Sequence, residues 1–331
     1  MKAVLNLLAE GEQLSRVESK EVMLKLASGE FSNEEIAAFL MALNMRPLVV
    51  DELLGFRDAM LEKALQVDLS EFESIDIVGT GGDGKNTFNI STCTSFVVAG
   101  AGYKVAKHGS YGVSSVSGSA NVLMELGVGF TTDKSLLKTA LEQANICFLH
   151  APLFHPAMKH VVPVRKALKV KTLFNLLGPL LNPSQPKFGM IGVYKQPLAA
   201  VYAHLLRQTN MTFNVVHALD GYDEIALTGD TLSVDNTQEK TLRPQDFGAD
   251  QIQPEAIFGG NTVPEAAQIF STILNNEAPE APKQVVLANA ALAIQTITRK
   301  PLLEAKQEAL EAINSGRAQQ ALKKLIEITN Q

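Results

Sequence analysis

The chain has 331 residues, 46% of them hydrophobic and 19% charged, enough for a large core and for two domains or one domain with a substantial lobe. Lys and Arg number 29 against 35 Asp and Glu, and the net charge of −6 with no long basic tract disfavours a general nucleic-acid surface while leaving room for a local basic pocket. The N-terminus has no signal-peptide apolar core, no apolar run approaches a membrane span, and Cys93 and Cys147 lack metal-ligand spacing, so a reducing cytoplasm is the expected compartment.

Residues 1 to about 68 carry helical patterns only. Ser15-Arg16-Val17-Glu18 and Ser32-Asn33-Glu34-Glu35 are capping boxes, each followed by apolar residues at helical spacing. Gly29 is placed to close the first of these helices, and Pro47 separates the next from "DELLGFRDAMLEKAL". From Ile75 onward short apolar runs ("IDIV", "YKVAK", "NICFLH", "FGMIGVY", "FNVVHAL") alternate with helical stretches, which predicts a largely parallel sheet with helices on its faces. Residues 225–262 read as strand-like pieces and turns, and the remainder is helical. A helical lobe joined to an α/β domain predicts a ligand cleft.

The stretch "IDIVGTGGDGKNTFNIST" is the first candidate site. Gly79, Gly81 and Gly84 fit a dinucleotide fingerprint, but the next helix is expected only near Thr92, and the following strand ends in Lys107-His108 instead of an acid. Gly79 to Lys85 fits a P-loop except that Asn86 stands where a magnesium-binding hydroxyl is needed. A third reading uses more of the residues. Glycine backbone N–H groups approach an anion, Asp83 accepts hydrogen bonds, Thr87 and Asn89 add polar contacts, and Ser91-Thr92 present a helix N-terminus to a phosphate. Taken alone, Ser91 reads as an ordinary N-cap. One strand later, "KHGSYGVSSVSGSANVLMELG" offers Lys107, hydroxyls and glycines before another helix, suited to a second phosphate. Asp223-Glu224 follow a strand and have the chemistry of magnesium ligands. His155, before Pro156, reads as structural.

Together with "HPAMKHVVPVRK" and "LFNLLGPLLNP", these clusters make nearly the whole chain resemble the anthranilate phosphoribosyltransferase family. The resemblance implies an α/β fold of the nucleoside-phosphorylase and phosphoribosyltransferase type. A helical domain, 1–68, is completed by about 165–182, an α/β domain spans 69–331, and the chain forms a homodimer. It implies that Mg2+ serves as cofactor and that phosphoribosyl is transferred from phosphoribosyl pyrophosphate to anthranilate. The donor is expected on Gly79, Gly82, Asp83, Thr87, Asn89, Ser91, Thr92, Lys107, Ser115 and Ser119. Magnesium is expected on Ser91, Asp223 and Glu224, and the acceptor near Gly79, His108, Ser110 and Arg165. The family commonly has Asn-Arg after "KHG", where this chain has Ser110-Tyr111. An aryl amine is already nucleophilic, so positioning and electrostatics are expected to carry catalysis, with His108 a pocket wall and not a strong base. Three alternatives stay open: a nucleoside phosphorylase, a transferase with another aromatic acceptor, and a non-enzymatic nucleic-acid-binding relative.

Overall fold

A computed structural model describes residues 1–112 and 116–331. In chain order its helices and strands are α1 (Lys2–Ala9), α2 (Arg16–Ala27), α3 (Asn33–Asn44), α4 (Val50–Glu62), β1 (Ile75–Gly79), α5 (Ile90–Gly100), β2 (Val105–Gly109), α6 (Ser119–Glu125), α7 (Lys134–Ala144) and β3 (Ile146–His150). They continue with α8 (Ala151–Phe154), α9 (Val162–Leu168), α10 (Leu173–Leu177), β4 (Phe188–Gly192), α11 (Gln196–Leu206), β5 (Thr212–Ala218), β6 (Thr231–Asp235) and β7 (Glu239–Leu242). The chain closes with α12 (Val263–Leu274), α13 (Glu280–Thr298), α14 (Leu302–Asn314) and α15 (Arg317–Thr329). No helix among the described residues is long and apolar enough to cross a membrane.

Two compact units result, Met1–Val67 with Ala151–Gln185, and Asp68–His150 with Pro186–Gln331. In the helical unit both capping boxes form. Ser15 and Ser32 accept from the backbone N–H groups of Glu18 and Glu35, whose carboxylates reach back to the cap N–H groups at 2.9 and 3.0 Å. Phe39 and Phe56 meet edge to face, 6.0 Å between centroids, and both are fully buried. A Cβ on Gly55 would stand 2.3 Å from Arg16 O, so only glycine lets α4 lie this close to α2. The buried Glu52 carboxylate accepts from Leu14 N–H at 3.0 Å and is neutralised by Arg46. The segment that returns to this unit is longer than the expected 165–182. Leu65 N–H donates to Phe154 O at 2.8 Å and the His155 ring lies 2.8 Å from Leu181 O, which ties residues ahead of 165 into the helical unit.

In the second unit the described residues form a seven-stranded sheet in the order β3-β2-β1-β4-β5-β6-β7. The pairings from β3 through β5 are parallel, and β6 and β7 add antiparallel. Strands β3 and β4 are buried along their whole length, as expected when helices cover both faces. Helices α5 and α13 are buried on nearly every side. Successive strands run outward from β1 to β2 and β3 in one direction and from β4 to β5 in the other. The order therefore reverses between β1 and β4, where an open α/β sheet leaves a crevice at its carboxyl edge.

Candidate active site

At that reversal β1 ends in Gly79 and β4 ends in Gly192, and the two are register partners. Beyond Gly79 the chain turns through Gly81, Gly82 and Gly84 at φ of +64°, +77° and +76°, a region L side chains rarely occupy. Asp83 accepts from Lys85 N–H at 3.0 Å inside the turn. The far limb is clipped to a distant segment. Phe88 N–H donates to Ile257 O (3.1 Å), Gly259 N–H to Asn86 O (2.8 Å) and the Asn86 amide to Gly260 O (2.8 Å), while Thr87 bridges Phe258. The residues from Asn86 to Phe88 are therefore a short extended limb. Helix α5 begins at Ile90, two residues earlier than the expected Thr92.

Ser91 is not the N-cap. That position belongs to Asn89, whose amide turns away to donate to Ser117 O at 2.9 Å. Ser91 N–H is satisfied instead by Glu224 Oε1 at 2.8 Å, a carboxylate from 133 residues away standing at the helix's positive end. Asn89 Oδ1 is buried without a hydrogen-bond partner among the described residues, and Thr92 is 1% exposed.

Asp223 lies directly over the two strand ends. Its Oδ2 accepts from Gly81 N–H at 2.6 Å and would be 2.4 Å from a Cβ on Gly79. Its carbonyl oxygen would be 1.6 Å from a Cβ on Gly192. Burial pushes the Asp223 carboxyl up to about 7, and the charge of Asp83 adds to the shift while the Gly81 N–H opposes it. Burial and then Asp223 push Glu224 well above the usual carboxylate range. Acids so crowded favour a cation among them. Among the described residues no three His, Cys, Asp or Glu side chains converge as a closed metal cage. Magnesium rarely needs one, since it is commonly held by one or two carboxylates plus substrate phosphates and water. The donor chemistry of Asp223, Glu224 and the Ser91 hydroxyl therefore fits this ion.

On β2, Lys107 is 2% exposed and its ammonium donates to Ile77 O at 2.6 Å. Burial lowers its pKa, and the charges of Asp76 and Glu224 partly restore it. His108, 4% exposed, is held through its backbone N–H by Asp76 Oδ1 at 3.2 Å. Both ends of the second loop are tied to α6. Ser110 O accepts from Ala120 N–H (3.1 Å) and from the Ser119 hydroxyl (3.3 Å), and Asn121 Oδ1 accepts from Gly112 N–H (2.9 Å) and Gly118 N–H (3.0 Å). Ser110 is exposed, and the Tyr111 ring stands edge-on to His150 (4.8 Å), which stacks on Phe130 (4.5 Å). Ser115 lies outside the described residues.

Arg165 belongs to the helical unit. Its guanidinium sits 5.7 Å from the Phe174 ring centre and donates weakly to Asn175 Oδ1 at 3.4 Å. Burial lowers its pKa, and a buried guanidinium is best accommodated beside an anion. His155, 3% exposed and held at Leu181 O, has a structural place, and burial lowers its pKa.

Gly192, Asp76, Asn121 and Asn289 were missed by sequence reasoning. Their signals were faint: a glycine ending an apolar strand, an acid inside one, and a single asparagine among the apolar residues of α6 and of the middle of α13.

Residues 71–319 match the family described as "Glycosyl transferase family, a/b domain", and residues 2–64 match "Glycosyl transferase family, helical bundle domain". The chain is 50% identical to the anthranilate phosphoribosyltransferase of Flavobacterium johnsoniae, over 99% of this chain and 100% of the relative. It is 48% identical to that of Bacteroides thetaiotaomicron over the full length of both. Among solved structures, the Thermus thermophilus anthranilate phosphoribosyltransferase superposes with a TM-score of 0.93 at 35% identity, covering 99% of each chain. The Saccharomyces cerevisiae enzyme in complex with PRPP and Mg superposes with a TM-score of 0.92 at 29% identity, covering 100% of this chain and 99% of that one.

Proposed function

The chain belongs to the anthranilate phosphoribosyltransferases, a glycosyl transferase family, and we infer that it transfers phosphoribosyl from phosphoribosyl pyrophosphate to anthranilate with Mg2+ as cofactor. The bond between the ribose anomeric carbon and pyrophosphate breaks, and a bond to the acceptor's amino nitrogen forms. One amine proton is released, leaving N-(5-phosphoribosyl)anthranilate and pyrophosphate.

The observation that carries this reading is the seat of Asp223 over the ends of β1 and β4, beside a glycine turn and the start of α5. We assign the donor to Gly79, Gly82, Asp83, Thr87, Asn89, Ser91, Thr92, Lys107, Ser115 and Ser119. The glycine turn lets backbone N–H groups face an anion, and Lys107 supplies a positive charge already stripped of water. Ser91, Asp223 and Glu224 would hold magnesium, which neutralises charge developing on the leaving pyrophosphate. The acceptor is assigned to Gly79, His108, Ser110 and Arg165. Arg165 is suited to the carboxylate because its planar fork can bind both oxygens. Burial of Lys107 and His108 favours catalysis by fixed charges and positioning over a strong general base.

A homodimer and a cytoplasmic location complete the proposal. Two buried free thiols, Cys93 and Cys147, support a reducing compartment, and light scattering on the purified chain tests the dimer. The function itself is tested by loss of anthranilate fluorescence in the presence of phosphoribosyl pyrophosphate and Mg2+. No change in fluorescence, together with phosphorolysis of a nucleoside, would replace transfer to anthranilate with the phosphorylase reading.

A further inference from the structure

We propose that Asn289, on α13, is a positioning residue that clamps Ile225 and thereby fixes where the preceding Asp223 and Glu224 point. The proposal rests on the reading of that acid pair as the magnesium site.

Asn289 is 1% exposed, in a helix whose other buried residues are almost all apolar. An amide there destabilises the fold unless its donors and acceptor are matched. They are: Nδ2 donates to Ile225 O and to Val285 O, both at 2.8 Å, and Oδ1 accepts from Ile225 N–H at 3.2 Å. The side chain thus pairs with Ile225 at two points, as a neighbouring strand's peptide group would. The bond to Val285, one helical turn back, locks the amide's orientation. Ile225 is itself fully buried, so no solvent replaces these partners if they are lost.

Three successive residues are each held by a different element. Asp223 is seated on the ends of β1 and β4 and on the Gly81 N–H, Glu224 on the N-terminus of α5, and Ile225 on α13. The first two grips use the carboxylates themselves, which a bound cation would also engage. Asn289 hydrogen-bonds only backbone groups, those of Ile225 and Val285, and touches neither carboxylate, so it can hold the pair whether or not the carboxylates are otherwise occupied.

The test compares Asn289→Ala with Leu292→Ala, a cavity-forming change at a fully buried position on the same helix. Asn289→Ala should raise the magnesium concentration needed for half-maximal activity by about 10–100-fold, the usual loss when support behind a metal ligand is removed. The anthranilate KM should stay within about two-fold, since the clamp touches no acceptor group. Amide hydrogen exchange at Ile225 should accelerate, and the rise in Tm produced by Mg2+ with pyrophosphate should shrink. Leu292→Ala should lower Tm without moving the magnesium requirement. If the two variants shift that requirement equally, or neither does, the proposal is overturned. Should Asn289→Ala not fold, Asn289→Leu takes its place: it keeps the size, removes the donors and the acceptor without adding a charge, and should give the same shift. A native chain that fails to transfer phosphoribosyl to anthranilate sinks the functional reading alone. The clamp is then judged by Ile225 exchange and the magnesium-dependent Tm, and unchanged exchange in the variant overturns it.

Discussion

The loops that follow β1 and β2 are adjacent in the sheet and equally rich in small residues, yet they are built on opposite plans. The first is shaped by its backbone: three glycines at positive φ, a limb clipped to residues 257–260, and Asp223 filling the space that side chains on Gly79 and Gly192 would take. The described part of the second is held by side chains, with Asn121 tying Gly112 to Gly118 and Tyr111 leaning on His150, which itself stacks on Phe130. A backbone-built loop aims its N–H groups at one place and tolerates no substituent. A side-chain-built loop can be re-aimed by exchanging a ring or an amide. Binding that depends on the first loop should therefore be brittle, and the acceptor preference set at Ser110 and Tyr111 in the second should be tunable.

The sharpest way to break that comparison is to remove the charge of the acids seated against the brittle loop and find activity intact. Asp223→Asn with Glu224→Gln preserves size and should lower kcat by about 100–1000-fold, the range for losing a strong electrostatic contact to developing charge. Near-normal turnover at saturating Mg2+ would show that the acids are not part of the machinery. Gly192→Ala comes next. Its Cβ would strike the Asp223 carbonyl, a backbone atom that cannot swing aside, so the acid must move. A displacement of about 1 Å can cost about 100-fold in kcat. Circular dichroism should remain that of a folded chain, and full activity would mean that the seat of Asp223 is soft.

Arg165→Ala should raise the anthranilate KM by about 10–100-fold, corresponding to about 1.5–3 kcal/mol for a lost charge-assisted contact, and leave the donor KM almost unchanged. A rise confined to the donor would move Arg165 to the other substrate. The tunable loop should respond more gently. Tyr111→Ala removes one edge-to-face contact, worth about 0.5–1.5 kcal/mol, so acceptor KM should rise by about 2–10-fold while the magnesium requirement holds. A larger change in donor KM than in acceptor KM would mean that Tyr111 supports the donor groups of this segment and not the acceptor.

The smallest effect is expected at Ser110, where a water can bridge what a longer amide would reach directly. Ser110→Asn, with Tyr111 intact, should lower the anthranilate KM by about two- to five-fold, within the net value of one hydrogen bond. Steady-state kinetics on a panel of aminobenzoates decides it. Efficient use of a different aminobenzoate with rejection of anthranilate would overturn the acceptor assignment and leave phosphoribosyl transfer standing.

Sequence by itself determined what acts over a turn or two of chain. The capping boxes at Ser15 and Ser32 formed as read, because a cap and its partner are three residues apart. The five parallel strands follow from apolar runs whose burial is their own composition. The glycines after β1 announced an unusual turn because positive φ is a property of single residues. Asp223-Glu224 could be recognised as a pair for the same reason. Only the tertiary structure decided what the pair touches: Gly81 and Ser91 lie 142 and 133 residues from their acids, and no local pattern encodes a partner at that range. The cap of α5 is decided at the same range. Ser91 has an N-cap's chemistry, but a carboxylate from across the sheet already satisfies its N–H, and Asn89 takes the cap position instead. Residues 151–164 likewise carry no mark of the unit they join, because membership is settled by where Leu65 and Leu181 find hydrogen-bond partners. Gly192 and Asn289 are the extreme cases. One is a strand end like any other and one an asparagine in the apolar middle of α13, until folding brings the backbone of residues 223–225 against both.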